Sequence, residues 1–492
     1  MSGPKPSNFD AKRRKFLAGA VAAAPAAGLA AASGTLTPAM AQNAPARTSV
    51  PGVPNTAGET GTPPSLPKLT VNRAGSDFMV DVIKTLDIDY VCAVPGSSFR
   101  GLQESLINYG NDTKPKFVTC LHEDTSVAIA HGYAKAAGKP LLSLVHANVG
   151  LQHAAMPIYN AFADQVPVIV VAGNTEDAAK RRLQVDWYHA AHDQAAITRD
   201  FTKWDDQPDS LQAFSESMVR AYDVATAVPA APVVVVCNAD LQEGEIDPVD
   251  ARSLSIPKLG PHFAPQGDMN AVSEAAKLLA NAENPVILVD RFARNFDGMA
   301  LLVKLAETLQ APVIDRRHRL NFPTRHPLNH SARGGAALRD ADVVLALEPV
   351  DLFGVTRELL DLPDRKLVSR VKPNTKVICI STASFLTKTN MQTFQRYTAA
   401  DLMITGDGQS TLPALTEAIA REMSGNLRSR ADARGQKLRA MPDQLLKVAR
   451  EEATYGWDAN PIATSRLCME LYDQIKSEDW VLASDVGGLS DW

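Results

Sequence analysis

From about residue 69 onward, short apolar runs alternate with stretches whose apolar residues recur at helical spacing. Runs at 90–94, 117–121, 141–145, 168–172 and 232–237 read as strands. A helical pattern follows Gly101. A second begins at Glu123 and stops at Gly138, ahead of Lys139 and Pro140. Continuous apolar strands separated by helices imply a parallel sheet covered on both faces. After a Pro-rich segment around 257–265 the alternation resumes, with runs at 286–289, 312–314, 343–347 and 377–380. A third strand-and-helix pattern opens near Pro461, with a helix through Leu467 and Leu471 and a strand at 480–483. The predicted fold class is α/β, with tandem parallel-sheet domains covered by helices.

The predicted divisions are 69–245, 266–426, a helical connector over 427–456, and the start of a further domain over 457–492. The connector carries alternating charge and no strong apolar face, so it is expected to be exposed. Residues 12–17, Lys-Arg-Arg-Lys-Phe-Leu, precede an alanine-rich stretch that ends on Ala39-Met40-Ala41, a small-residue cleavage pattern. Residues 1–41 therefore resemble a twin-arginine signal peptide, which implies export to the periplasm or an equivalent space and no membrane span in the mature form. Residues 42–68, rich in Pro, Ala, Gly and Thr, read as a flexible linker.

Composition narrows the function classes. A length of 492 residues exceeds what one core can organise, and 45% apolar with 21% charged residues is ordinary for a globular protein. The net charge of -5 offers no basic surplus for nucleic acid, so small-molecule chemistry is expected. The five cysteines show no CxxC spacing, and Cys92, Cys120, Cys237 and Cys379 sit in or beside apolar runs, so they read as buried thiols.

In parallel sheets the ligand crevice lies beyond the carboxyl ends of the strands. Three predicted loops there carry chemistry: Pro95-Gly96-Ser97-Ser98, His122-Glu123-Asp124, and His146 through Gly150. Taken singly, each has a plain structural role. Glu123 suits a helix N-terminus, Ser97 a turn, and His146 a backbone-bonded loop.

Together, His122-Glu123, Ala128, Ala130, Gly132-Tyr133-Ala134 and Gly138-Lys139-Pro140 resemble the thiamine-diphosphate decarboxylase and acetolactate synthase superfamily. So do Pro167-Val168-Ile169 with Ala172-Gly173, Pro232-Val233 with Asp240, Asn284-Pro285-Val286, Ala311-Pro312-Val313, 322–327 and 341–344. The Pro95-Gly96-Ser97 turn and His146 are most similar to the benzoylformate decarboxylase branch.

The resemblance implies a thiamine-diphosphate-binding fold over 69–245 and a Rossmann-like domain over 266–426. It implies Glu123 as the carboxylate that activates the cofactor, Ser97 as a contact to the substrate carboxylate, and His146 as a proton-transfer residue. It also implies Pro95, Gly96 and Gly150 as backbone lining the cofactor. His122, His131 and His153 are expected to be local supporting groups, and His153 stands where the family commonly has asparagine. The implied cofactor is thiamine diphosphate and the implied substrate a small 2-oxo acid, undergoing decarboxylation or acetolactate-type carboligation, in a homodimer or homotetramer.

Magnesium is expected on a Gly-Asp-Gly segment of a C-terminal domain. Gly406-Asp407-Gly408 is not expected to be that segment, because no apolar strand is predicted directly before it. By the resemblance the true segment falls downstream of 485–488, so the metal site is expected outside this sequence, and none of the metal's ligands is assigned here. A truncated record, a separate partner chain, or a non-catalytic binding or regulatory protein would each account for that. FAD is not expected, since Asp290-Arg291 stand where a glycine turn would follow the first strand of the central domain.

Overall fold

The computed structural model describes residues 73–316, 318–361, 363–386 and 396–482. The signal, the linker and 485–488 lie outside the described residues. The expected fold class is present. The first sheet is six-stranded and wholly parallel, built from β1 (Tyr90–Ala93), β2 (Lys116–Thr119), β3 (Leu142–Val145), β4 (Ile169–Asn174), β5 (Trp204–Asp206) and β6 (Val233–Asn238). Its order is β2-β1-β3-β4-β6-β5. Every residue of β4 and of β6 is buried, which explains why both read as unbroken apolar runs.

Helix α1 (Gly75–Thr85) covers one face and buries Phe78, Met79, Val82 and Ile83. Helix α2 (Glu123–Ala137) covers the other, and Gly138, at φ 74°, gives it a left-handed stop. Two short helices follow β3, α3 (Ala147–His153) and α4 (Ala155–Ala163). Helix α5 (Leu211–Thr226) packs beside α1 and buries Phe214 and Met218. Truncating Phe214 to alanine would cost about 3–5 kcal/mol through the cavity left behind.

The second sheet contains β7 (Pro285–Val289), β8 (Val313–Asp315), β9 (Val343–Leu347), β12 (Lys376–Ser381) and β13 (Leu402–Thr405). It too is wholly parallel, in the order β13-β12-β9-β7-β8, a doubly wound arrangement. Between β9 and β12 lies an antiparallel hairpin, β10 (Arg357–Asp361) and β11 (Lys366–Ser369). Helices α6 (Met269–Asn281), α7 (Phe296–Leu309) and α8 (Gly408–Glu422) supply most of this domain's apolar cover.

Three expectations need correction. A strand, β13, does stand directly before Gly406-Asp407-Gly408, so its predicted absence is wrong. There Asp407 accepts from the Ser410 amide at 2.7 Å as the cap of α8 and pairs with Arg294. The segment 480–482, predicted as part of a strand, has no strand partner; Trp480, Val481 and Leu482 are exposed, and residue 483 lies outside the described residues.

The connector, finally, is two helices, α9 (Gly425–Arg439) and α10 (Met441–Glu452), and α9 is not merely exposed. Ala431 is buried, Arg430 donates to the Asn281 carbonyl at 2.7 Å, and Arg434 donates to those of Leu309 and Gln310 at 2.6 and 3.0 Å. These guanidiniums satisfy carbonyls that the ends of α6 and α7 leave without helical partners. Charge in this stretch is therefore spent on packing. Helix α11 (Thr464–Ile475) matches the pattern through Leu467 and Leu471. Among the described residues, no helix is long and apolar enough to cross a membrane.

The two sheets meet through α4. Asp164, just past its end, accepts from His131 at 2.9 Å and Lys135 at 2.7 Å, and from Arg319 of the second domain at 2.6 Å. Burial opposes the Asp164 charge, but His131, Arg319 and Lys135 together hold its carboxyl well below the usual range. His131 is thus structural.

Candidate active site

The strand order of the first sheet reverses between β1 and β3, and the carboxyl edge of a parallel sheet at such a point is where ligands are taken. The loop after β1 brings Pro95 to Ser98, the turn after β2 brings His122 and Glu123, and His146 directly follows the end of β3. Helix α2 is tied down one turn in: the buried Ser126 hydroxyl donates to the Cys92 carbonyl at 2.8 Å and meets the Ser143 hydroxyl at 2.5 Å. That anchors the helix on β1 and β3 and fixes where Glu123 points.

Glu123 is only 9% exposed. Its Oε2 accepts from His153 Nδ1 at 3.0 Å. Its Oε1 lies against Gly150, where an added Cβ would come within 2.8 Å of it. Any side chain at 150 would therefore push the carboxylate aside. His153, expected as a local group, is the direct partner of the carboxylate.

His146 Nδ1 sits 2.9 Å from the Ser98 hydroxyl, and a Cβ at Gly96 would come within 3.0 Å of the ring. Burial, and next the nearby His189, pushes the His146 imidazole below its ordinary range, so at neutral pH it is uncharged. The two rings stack at 4.7 Å between centroids, tilted by 38°. Directly after His146 the buried Ala147 holds φ at 48°, a left-handed conformation that costs an L residue about 1–3 kcal/mol. That turn swings α3 across the crevice, so Gly150 and His153 both reach Glu123.

Ser97 is placed apart from this pair. Its hydroxyl accepts from Arg182 Nη2 at 3.0 Å, and Arg182 in turn grips the buried Asp186 at 2.7 Å. Arg182 holds the Asp186 carboxyl below its usual range. Pro95 is exposed at the head of the turn. The structure thus joins Glu123, Gly150 and His153 in one group and Gly96, Ser98 and His146 in another, with Ser97 leading to Arg182.

Sequence reasoning missed Ser98, Arg182 and His189. Ser98 was one residue from the chosen hydroxyl, whereas Arg182 and His189 lie on the long loop after β4, whose return to the crevice no local pattern reveals. The cysteines are not part of the site: burial pushes the thiols of Cys92, Cys237 and Cys379 up to about 12, far from a reactive thiolate.

Residues 73–197 match the family described as thiamine pyrophosphate enzyme, N-terminal TPP binding domain, and 272–415 match thiamine pyrophosphate enzyme, central domain. The mitochondrial acetolactate synthase catalytic subunit of Saccharomyces cerevisiae is 26% identical over 298 residues, 58% of this chain and 42% of that one. Benzoylformate decarboxylase of Pseudomonas aeruginosa is 25% identical over 213 residues, 43% of this chain and 39% of that one. The chain thus spans less than half the length of these two relatives. The crystal structure of benzoylformate decarboxylase from Polynucleobacter necessarius shares the fold, with a TM-score of 0.57 at 19% identity over 70% of this chain and 61% of that one. With both domain types present in this order over the two sheets, the chain belongs to the thiamine pyrophosphate-dependent enzyme family, related to acetolactate synthases and benzoylformate decarboxylases.

Proposed function

We propose that this chain supplies the pyrimidine-binding half of a thiamine diphosphate site that converts a small 2-oxo acid, by decarboxylation or by acetolactate-type carboligation. The observation that carries the reading is Glu123: a nearly buried carboxylate at the switch point, one oxygen fixed by His153 and the other facing a glycine that leaves it room. A cradle that an added Cβ would fill suits a flat ring held edge-on to a carboxylate. When bound, thiamine diphosphate supplies the electron sink for breaking the bond beside the carbonyl.

The residues do narrower work. Glu123 holds the aminopyrimidine and shares a proton with it, while His153 fixes the carboxylate rotamer. His146, uncharged and with Nδ1 engaged by Ser98, gives or takes a proton at its other ring nitrogen. Ser97, fixed by Arg182, offers a hydroxyl beside a guanidinium, a pair suited to the substrate carboxylate. Pro95 and Gly96 line the ring. In this reading the diphosphate and its Mg2+ are held by oxygen ligands of a further domain, in a homodimer or homotetramer.

Isothermal titration of this chain together with the diphosphate-binding domain, using thiamine diphosphate and Mg2+, alongside carbon dioxide release from a panel of 2-oxo acids, tests the reading. Glu123→Gln should lower release by about 10²–10⁴-fold and weaken binding; undiminished release in that variant would sink the assignment. Export through the twin-arginine route rests on residues 12–17. It predicts that Arg13→Lys with Arg14→Lys keeps the protein in the cytoplasm, as read by cell fractionation.

A further inference from the structure

Beside Glu123, three side chains converge; the cofactor reading has no use for two of them and uses only one ring nitrogen of the third, His153. His122 precedes α2, Asp124 lies in its first turn, and His153 ends α3; all three are exposed, and each offers a ligand atom within 4.8 Å of the others. The rings of His122 and His153 meet edge to face at 5.2 Å. We propose that His122, Asp124 and His153 bind a divalent transition cation of the Zn2+ type.

Helix capping does not explain His122, whose side chain makes no cap bond although it occupies the cap position. Asp124 uses Oδ1 for the Thr125 amide and hydroxyl, at 2.6 and 3.2 Å, which leaves Oδ2 for a ligand. His153 is held as a metal-binding histidine commonly is: one ring nitrogen donates to a carboxylate, Glu123 at 3.0 Å, which sets the tautomer and leaves the other nitrogen with its lone pair. This bond lies outside the triad and leaves the other ring nitrogen of His153 to serve as a ligand.

Two imidazoles and one carboxylate favour Zn2+, Co2+, Ni2+ or Cu2+ over Mg2+ or Ca2+, which prefer oxygen. The positive end of α2 opposes a cation, but Glu123 and Asp124 in its first turn outweigh that half charge. Three protein ligands would leave a coordination position open to water or a small donor. The site does not rest on the cofactor assignment; it needs only the geometry of these four side chains.

Cobalt reports directly on the donor set. The whole chain, stripped by a chelator and kept in excess Mg2+, should take up Co2+ with visible ligand-field bands and release it to Zn2+. His122→Ala and Asp124→Asn, both at exposed positions, should each weaken uptake at least tenfold, with thermal melts confirming that the variants are folded. If the wild type shows no bands at micromolar Co2+, or if folded variants keep wild-type uptake, the proposal is overturned.

Discussion

The two parallel sheets share a plan, yet their switch points have opposite fates. At the first, between β1 and β3, the polar groups are left with unspent capacity: one oxygen of Glu123, one nitrogen of His146 and the Ser97 hydroxyl. At the second, between β7 and β9, Asp290 pairs with His318 and accepts from the Val350 amide at 2.9 Å, while Arg291 is buried and donates to the Ala163 carbonyl of the first domain. Glu348, buried, accepts from the Ser381 hydroxyl at 3.1 Å and from the Thr382 and Gly408 amides, each at 3.0 Å. One edge keeps polar groups available; at the other, Asp290 and Glu348 are taken up within their own domain and Arg291 ties it to the first, with the Arg291 Nε left without a partner among the described residues. Strand order alone does not mark an edge as a candidate site; how many of its donors and acceptors are already matched separates the two.

Substitution should separate the edges. At the open edge, Glu123→Gln should lower turnover of a responsive 2-oxo acid by about 10²–10⁴-fold while shifting unfolding free energy by less than about 1 kcal/mol, in steady-state kinetics and urea titration. At the closed edge, Glu348→Ala strands buried donors and should cost about 2–4 kcal/mol of stability by the same urea titration. A large stability loss in the first variant, or none in the second, would collapse the distinction.

The pH response sharpens it further. Burial pushes the Glu348 carboxyl up to about 7, so the folded state holds a proton that the unfolded chain releases near its ordinary value. The stability tied to this group is therefore complete below the ordinary carboxylate range and is lost as pH rises towards 7, by an amount on the order of 3 kcal/mol. Glu348→Gln should remove that slope, which melting temperatures across this range would reveal by difference from wild type. Smallest should be Ser97→Ala, with a KM increase of about tenfold or less and a stability change of about 0.5–1 kcal/mol from the lost Arg182 bond. Should Ser98→Ala raise KM while Ser97→Ala does not, the substrate contact belongs to Ser98.

The central strands were legible because burial on both faces writes itself as continuous apolar sequence, as in 168–172 and 232–237. Two of the edge strands, β5 and β13, were not. Trp204-Asp205-Asp206 is short, half exposed and mostly acidic, and 402–405 leaves Met403 half exposed, so their strand character comes from a neighbour and not from their own residues. Pairing of Glu123 with Gly150 could be anticipated from position after a strand. The contacts of Arg182 with Ser97 and of His189 with His146 join residues far apart in sequence, and no periodicity encodes them.

Asp164 gives the seam a mechanical meaning. Two of the groups it holds, His131 and Lys135, stand one turn apart on α2, the helix that begins at Glu123, and the third, Arg319, belongs to the second domain. His131 lies eight residues along from Glu123, about 12 Å by helical rise. The helix is therefore moored at two points, by the second domain along its shaft and by Ser126 near its head, so the carboxylate takes its position from both sheets and not from one alone.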